Sequence, residues 1–202
     1  MAQNFNVPVE AFAKIPLQQL HIFRTPMPGP LADEQAQARG SAGKMPEPSS
    51  FAFASMPPTR KTSAGEVRIA DSRNFKASVT IAAALVTVHP GGLREMHWHP
   101  NADEWQYWIE GQRTMTVFNA GPSAVTQNFK PGDIGYVKKS LGHYIKNTGD
   151  TDLKFLEIFR SDRFEDVSLS DWLARTPRAM VAQHLNMDPT MIARFPGNIM
   201  PE

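Results

Sequence analysis

From Gly65 to Phe159 the chain reads as short apolar-rich runs separated by turn residues. Strands are predicted at Glu66 to Ala70, Val79 to His89, Arg94 to His99, Glu104 to Glu110, Arg113 to Asn119, Ala124 to Phe129, Ile134 to Lys138, His143 to Asn147 and Leu153 to Phe159. Gly111, Gly121-Pro122, Pro131-Gly132-Asp133, Gly142 and Asn147-Thr148-Gly149-Asp150 punctuate them. Val79 to His89 is apolar at both parities, as in a strand covered on both faces. Many short strands at this spacing predict an all-β sandwich or barrel.

On either side of this block the pattern changes. Nine of the seventeen prolines lie in residues 1–58. Thr25 to Pro58 therefore reads as an extended, turn-rich arm. A short helix is predicted at Val9 to Ile15, with Pro8 suited to a first turn. After Phe159 the apolar period becomes helical, predicting helices at Val167 to Leu173, Pro177 to Leu185 and Pro189 to Phe195. Ser170 and Asp171 are candidate N-caps for the first of these. The resulting division is a helix and proline-rich arm over 1–64, a barrel over 65–160 and a helical segment over 161–202. Met1 to Pro8 also weakly echoes Val181 to Asp188, and Ala11 to Pro16 echoes Met191 to Pro196.

Length and charge narrow the function. At 202 residues the chain suits one domain with extensions. Its 21 basic and 20 acidic residues give a formal net charge of +1 without blocks of one sign. Nucleic acid and anionic membrane are not the expected partners. No apolar run is long enough to span a bilayer, and Met1 to Lys14 does not read as a secretory signal, so a cytoplasmic location is expected. The chain has no cysteine, so a metal here must be held by His, carboxylate and water.

Such a set is present. Side chains at i and i+2 of a strand point to one face, so His97 and His99 present two imidazoles together. Glu104 opens the next predicted strand after a turn, and His143 opens a later one. Three imidazoles and one carboxylate suit manganese, iron, nickel, copper or zinc and leave coordination positions for substrate or oxygen. His21, His89 and His184 read as surface or packing residues. Glu157, between Leu156 and Ile158, shares its face with Phe155 and Phe159, where a carboxylate is costly unless paired or functional.

Gly92, His97-Trp98-His99, Glu104 and Gly111, then Gly132, Gly142-His143 and Asn147, resemble the two cupin motifs. Ser140 stands where that pattern usually has proline. More closely, Glu104 to Gly111, Arg113 to Phe118, Gly132 to Val137, Gly142 to Tyr144, Phe155 to Phe159 and Asp166 to Leu169 resemble the C-terminal cupin of the two-cupin oxalate decarboxylases, over roughly residues 65–186. The chain thus looks like one half of a bicupin. The resemblance implies a double-stranded β-helix, or jelly-roll, barrel. It implies Mn2+ as the ion, dioxygen as co-catalyst, and conversion of oxalate to formate and carbon dioxide. It implies that Arg94 binds the substrate carboxylate and that Glu157 lines the pocket. Counting from His97, a regular strand would turn Arg94 away, and a bend after Gly91-Gly92 could redirect it. In the first cupin of the family a Ser-Glu-Asn-Ser loop carries the proton donor. The matching stretch here is Ser161 to Asp166, which makes Glu165 and Glu157 the candidate acids. An oxalate oxidase or other dioxygenase, and a metal-binding module without turnover, fit the same ligands. Cupins commonly pair, and Phe12, Ile15, Leu17, Leu20 and Phe23 have few local partners. A homodimer, or a trimer of dimers, is expected.

Overall fold

A computed structural model describes residues 1–43 and 45–192. The chain divides into two compact units, residues 1–46 and 47–202.

Among the described residues, the larger unit contains eleven strands in two antiparallel sheets. The strands are β1 (Arg60–Thr62), β2 (Gly65–Ala70), β3 (Ala82–Val88), β4 (Leu93–Trp98), β5 (Glu104–Glu110), β6 (Arg113–Phe118), β7 (Ala124–Phe129), β8 (Ile134–Val137), β9 (His143–Asn147), β10 (Leu153–Phe159) and β11 (Val167–Ser168). One sheet runs β1-β2-β3-β10-β5-β8 and the other β11-β4-β9-β6-β7. This is the jelly roll that the resemblance implies, within the all-β class that the strand pattern predicts. Alternate residues of each strand face inward. On β10, Leu153, Phe155, Glu157 and Phe159 are buried; on β5, Glu104, Gln106 and Trp108 are. Ala82, Ala84, Val86 and Val88 of β3 join Trp108, Met115, Val137, Ile145, Phe155 and Phe159 in one core.

Four predicted strands match the observed ones at both ends: Glu104–Glu110, Ala124–Phe129, His143–Asn147 and Leu153–Phe159. The strand predicted from Val79 starts instead at Ala82. A turn at Phe75–Ser78, with Ser78 Oγ donating to the Ile81 carbonyl, holds Val79 and Ile81 at the surface. Strand β1 was not apparent in the sequence. It is three residues long, fully exposed, and exists by pairing with β2.

Beyond the barrel, Val167 and Ser168 form β11 rather than the start of a helix. Helix α3 spans Leu169–Arg175 and is capped by Ser168, whose Oγ accepts from the Asp171 N–H. The cap is therefore Ser168, not Ser170 or Asp171. Pairing of β11 with β4 fixes Ser168 in an extended backbone that suits a cap. Helix α4 covers Arg178–Leu185 and α5 covers Pro189–Ile192; the predicted end at Phe195 lies outside the described residues.

The smaller unit is less extended than predicted. Helix α1 is Ala2–Phe5, and Val9–Phe12 is a 3₁₀ turn shorter than the helix expected there. Helix α2, Leu31–Ala42, interrupts the predicted arm. Its Ala, Glu, Gln and Arg residues are strong helix formers, Pro30 opens it, and Glu34 reaches back to the Gly29 N–H at 3.1 Å. The internal echo has a structural counterpart. Asn6 and Asn186, 180 positions apart, both end helices in the left-handed conformation, with φ of 52° and 50°. Val7 and Met187 then donate to the carbonyls of Ala2 and Ala182.

Candidate metal centre

The site lies between the sheets. His97 on β4 pairs across the ladder with His143 on β9, which brings their rings to 4.1 Å. His99 follows β4, and Glu104 opens β5 in the opposite sheet. All four are almost wholly buried. One donor atom from each lies within 4.8 Å of every other.

Each imidazole is oriented through Nδ1. His97 Nδ1 lies 2.7 Å from the Glu95 carbonyl, His99 Nδ1 2.7 Å from that of Glu165, and His143 Nδ1 3.1 Å from that of Leu141. A carbonyl only accepts, so Nδ1 carries the proton and Nε2 presents its lone pair. The three Nε2 atoms and Glu104 Oε2 are buried without hydrogen-bond partners among the described residues. Glu104 Oε2 sits 3.1 Å from His99 Nε2 and 2.8 Å from His143 Nε2. Ligands about 2.0–2.2 Å from one ion stand about 3 Å apart in adjacent positions. The donors fit a single divalent cation.

Electrostatics agree. Burial, then the charge of Arg94, pushes His97 well below the ordinary imidazole value and keeps it in the neutral, ligating form. Burial opposes ionisation of Glu104, but His143 and His99 outweigh it and hold the carboxyl well below its usual range. Burial also opposes a charge on His99, yet Glu104 raises it above the ordinary value. A proton on His99 can thus balance Glu104 when no ion is bound.

Gln106 completes the support and carried no sequence signal beyond its parity with Glu104. Its Nε2 donates to Glu104 Oε1 at 2.5 Å, which leaves Oε2 for the ion. Gly135 makes room for it: a Cβ there would lie 2.3 Å from Gln106 Oε1 and 3.1 Å from Trp108 Nε1. Gln106→Leu and Gly135→Ala are each expected to weaken metal binding by about 10- to 100-fold, as loss of outer-shell support does. Competition with a chelating dye measures this, and unchanged affinity in both variants would refute the role of Gln106. The Ser140 departure also has a reason. Its φ of 65° is one that a proline ring, locked near −65°, cannot adopt.

The register between β4 and β9 shifts between Arg94 and His97. Three steps on β4 match two on β9, so one extra residue is accommodated and the parity reverses. The irregularity that redirects Arg94 thus lies between Arg94 and His97, not at Gly91-Gly92. Its Nη2 donates to Asp166 Oδ2 at 2.7 Å, and the two side chains are 16% and 9% exposed. Glu157 is wholly buried, and neither carboxylate oxygen has a hydrogen-bond partner among the described residues. Burial first, then repulsion from Glu104, raises its pKa to about 8, against the pull of Arg94 and His99. Glu165 reaches the centre through its carbonyl, while its side chain is exposed. Trp108 shares the inner face of β5 with Glu104 and serves packing. It packs against Phe155, Phe129 and the guanidinium of Arg113.

The family model described as cupin matches residues 51–193. Oxalate decarboxylase OxdC of Bacillus subtilis is 46% identical over 187 residues, covering 93% of this chain and 48% of the relative. A probable oxalate decarboxylase of Arthroderma benhamiae is 38% identical over 199 residues, covering 96% of this chain and 48% of the relative. A solved structure of the Bacillus subtilis oxalate decarboxylase, from work assigning its Mn(II) centres, superposes with a TM-score of 0.88 at 44% identity. It covers 99% of this chain and 52% of that one. The chain spans about half the length of the curated relatives it matches.

Proposed function

The chain belongs to the cupin family, and we propose that it is a manganese-dependent, oxalate decarboxylase-like enzyme that converts oxalate to formate and carbon dioxide. The observation that carries this reading is the convergence of four orphaned donor atoms with a half-buried arginine and an unpartnered buried carboxylate. The identity to oxalate decarboxylases across nearly the whole chain supports it.

His97, His99, Glu104 and His143 would hold the ion. When bound, manganese supplies Lewis acidity and, with dioxygen as co-catalyst, reversible one-electron chemistry. The chain's own residues do the rest. Arg94 offers a planar guanidinium to a carboxylate of oxalate and offsets its charge. The overall change from hydrogen oxalate is redox-neutral. The carbon–carbon bond breaks, carbon dioxide leaves, and the other carbon keeps the electron pair and takes a proton. Glu157 is suited to that proton, because its raised pKa keeps a carboxylic acid available near neutrality. The apolar surroundings of Phe155 and Phe159 exclude water from competing transfers.

The exposed side chain of Glu165 favours one alternative. Without an acid that reaches carbon, oxalate, dioxygen and two protons would give two carbon dioxide molecules and hydrogen peroxide. Product analysis separates the two. Manganese-loaded protein in air at mildly acid pH is expected to release formate from oxalate, with none from a His97→Ala control. Peroxide in place of formate would establish the oxidase, and neither product would refute turnover of oxalate.

The assembly belongs to the same proposal. Leu17, Ile22, Phe23 and Leu31 are exposed on the smaller unit, a heavy load of apolar surface. A homodimer, or a trimer of dimers, would cover them. Light scattering at micromolar concentration is expected to give at least twice the chain mass, and a monomer would refute this.

A further inference from the structure

The segment from Ser161 to Ser168 is pinned on both sides of Asp166. Asn101 Nδ2 donates to Ser161 Oγ at 3.0 Å and to the Arg163 carbonyl at 2.9 Å. The Phe164 N–H donates to Asp71 Oδ2, and its ring packs against His99 and Phe159. The Glu165 carbonyl holds His99, and β11 joins the sheet through Val167. The backbone is thus fixed without help from the Asp166 side chain, which instead accepts a 2.7 Å hydrogen bond from Arg94. Both residues line a groove that also exposes Arg60, Lys61 and Val67.

We propose that Asp166 is an internal competitor for the substrate carboxylate, occupying Arg94 until an incoming anion displaces it. This rests on the reading of Arg94 as the carboxylate-binding residue. One guanidinium edge serves one carboxylate at a time. An anion that arrives at Arg94 exchanges one carboxylate for another and gains little. A dicarboxylate gains a second attachment at the ion and keeps useful affinity after the exchange. A monocarboxylate such as formate does not. Asp166 therefore lowers the hold on every anion by the same factor, and only substrates with two attachment points remain well bound. The product, with one carboxylate, is let go.

Asp166→Asn keeps the shape and removes the competing charge. Calorimetric titration of manganese-loaded protein is expected to give a dissociation constant for oxalate about tenfold lower than in the parent, and a similar gain for formate, the size of one charge-assisted hydrogen bond. The gain should vanish when Arg94→Gln is added, and it should persist in Asp166→Ser. Equal affinity in parent and variant, including no binding by either, overturns the proposal. Weaker binding in Asp166→Asn overturns it too, because Asp166 would then be positioning Arg94. Loss of folding in both Asp166 variants, seen by circular dichroism, would make the pair structural and has the same consequence. No turnover enters this test. A parent that binds oxalate but releases no formate would refute the decarboxylase and leave the competitor standing.

Discussion

Replacing Glu104 with glutamine is expected to abolish stoichiometric metal binding and formate release together, while leaving a folded barrel. Glu104 is the only anion in the donor set, and glutamine offers a neutral oxygen in its place. The loss of affinity should exceed the about 10- to 100-fold that outer-shell changes cost. Two measurements separate this from a folding defect. In the parent, manganese at a hundredfold excess over its dissociation constant should raise the melting temperature by roughly 5–10 °C, since ligand binding to the native state adds about 2.7 kcal/mol. The variant should show no such rise, with a far-ultraviolet spectrum like the parent's.

The second measurement follows the proton on His99. Burial lowers the imidazole and Glu104 more than offsets it, so the metal-free parent should show His99 titrating above its ordinary 6.5. Without the carboxylate the largest upward pull is lost, burial is opposed only by Glu157 and the Glu165 carbonyl, and the value should fall from that of the parent. The sign for stability follows. In the metal-free parent the His99 contribution is complete below pH 6.5 and is lost as pH rises through the raised folded value. The glutamine variant should show a smaller loss. A His99 titration unchanged between the two proteins, read by nuclear magnetic resonance, would contradict the arrangement of the centre.

Most of the barrel was legible because its information is local. Alternation at Glu104–Glu110 and Leu153–Phe159 assigns Glu104, Trp108, Phe155 and Glu157 to the inner face, and the structure agrees. The four donors were legible because chelation needs fixed residue types, and spacing within β4 brings two of them together. Three things were not legible, each for a physical reason. The inward turn of Arg94 depends on an extra residue between β4 and β9, a relation between two strands that neither sequence announces alone. Gln106 is an ordinary polar residue until Gly135, on the neighbouring strand, gives it room. Glu165 contributes its carbonyl, a group that every residue carries and no side-chain motif can mark. The helix at Leu31–Ala42 is different. Its propensity was present in the sequence but was outweighed by the prolines and glycines around it.

Glu157→Gln should separate proton transfer from binding. Glutamine has nearly the same shape and mimics the protonated acid, so the metal and oxalate should bind with affinities close to those of the parent. Formate release should fall about 10²- to 10⁴-fold, the usual worth of a positioned acid or base. The same change has an independent consequence in the metal-free protein. Glu157 has a folded pKa of about 8 against an ordinary 4.5, with burial the largest cause. Between these values the native state keeps a proton that the unfolded chain has released. Stability is therefore full below about pH 4.5 and declines as pH rises towards 8, on the order of 1 kcal/mol per pH unit, and levels off above. The glutamine variant should lack this decline and be the more stable protein at pH 8. Urea unfolding at pH 5, 6.5 and 8 tests it, with the parent's pH 8 midpoint expected to shift the most. If the variant keeps parental turnover, the proton donor is another group and Glu157 is a buried partner of Arg94. If turnover falls and the two proteins show the same pH dependence of stability, the carboxyl is ionised in the folded state and its role is that of a base.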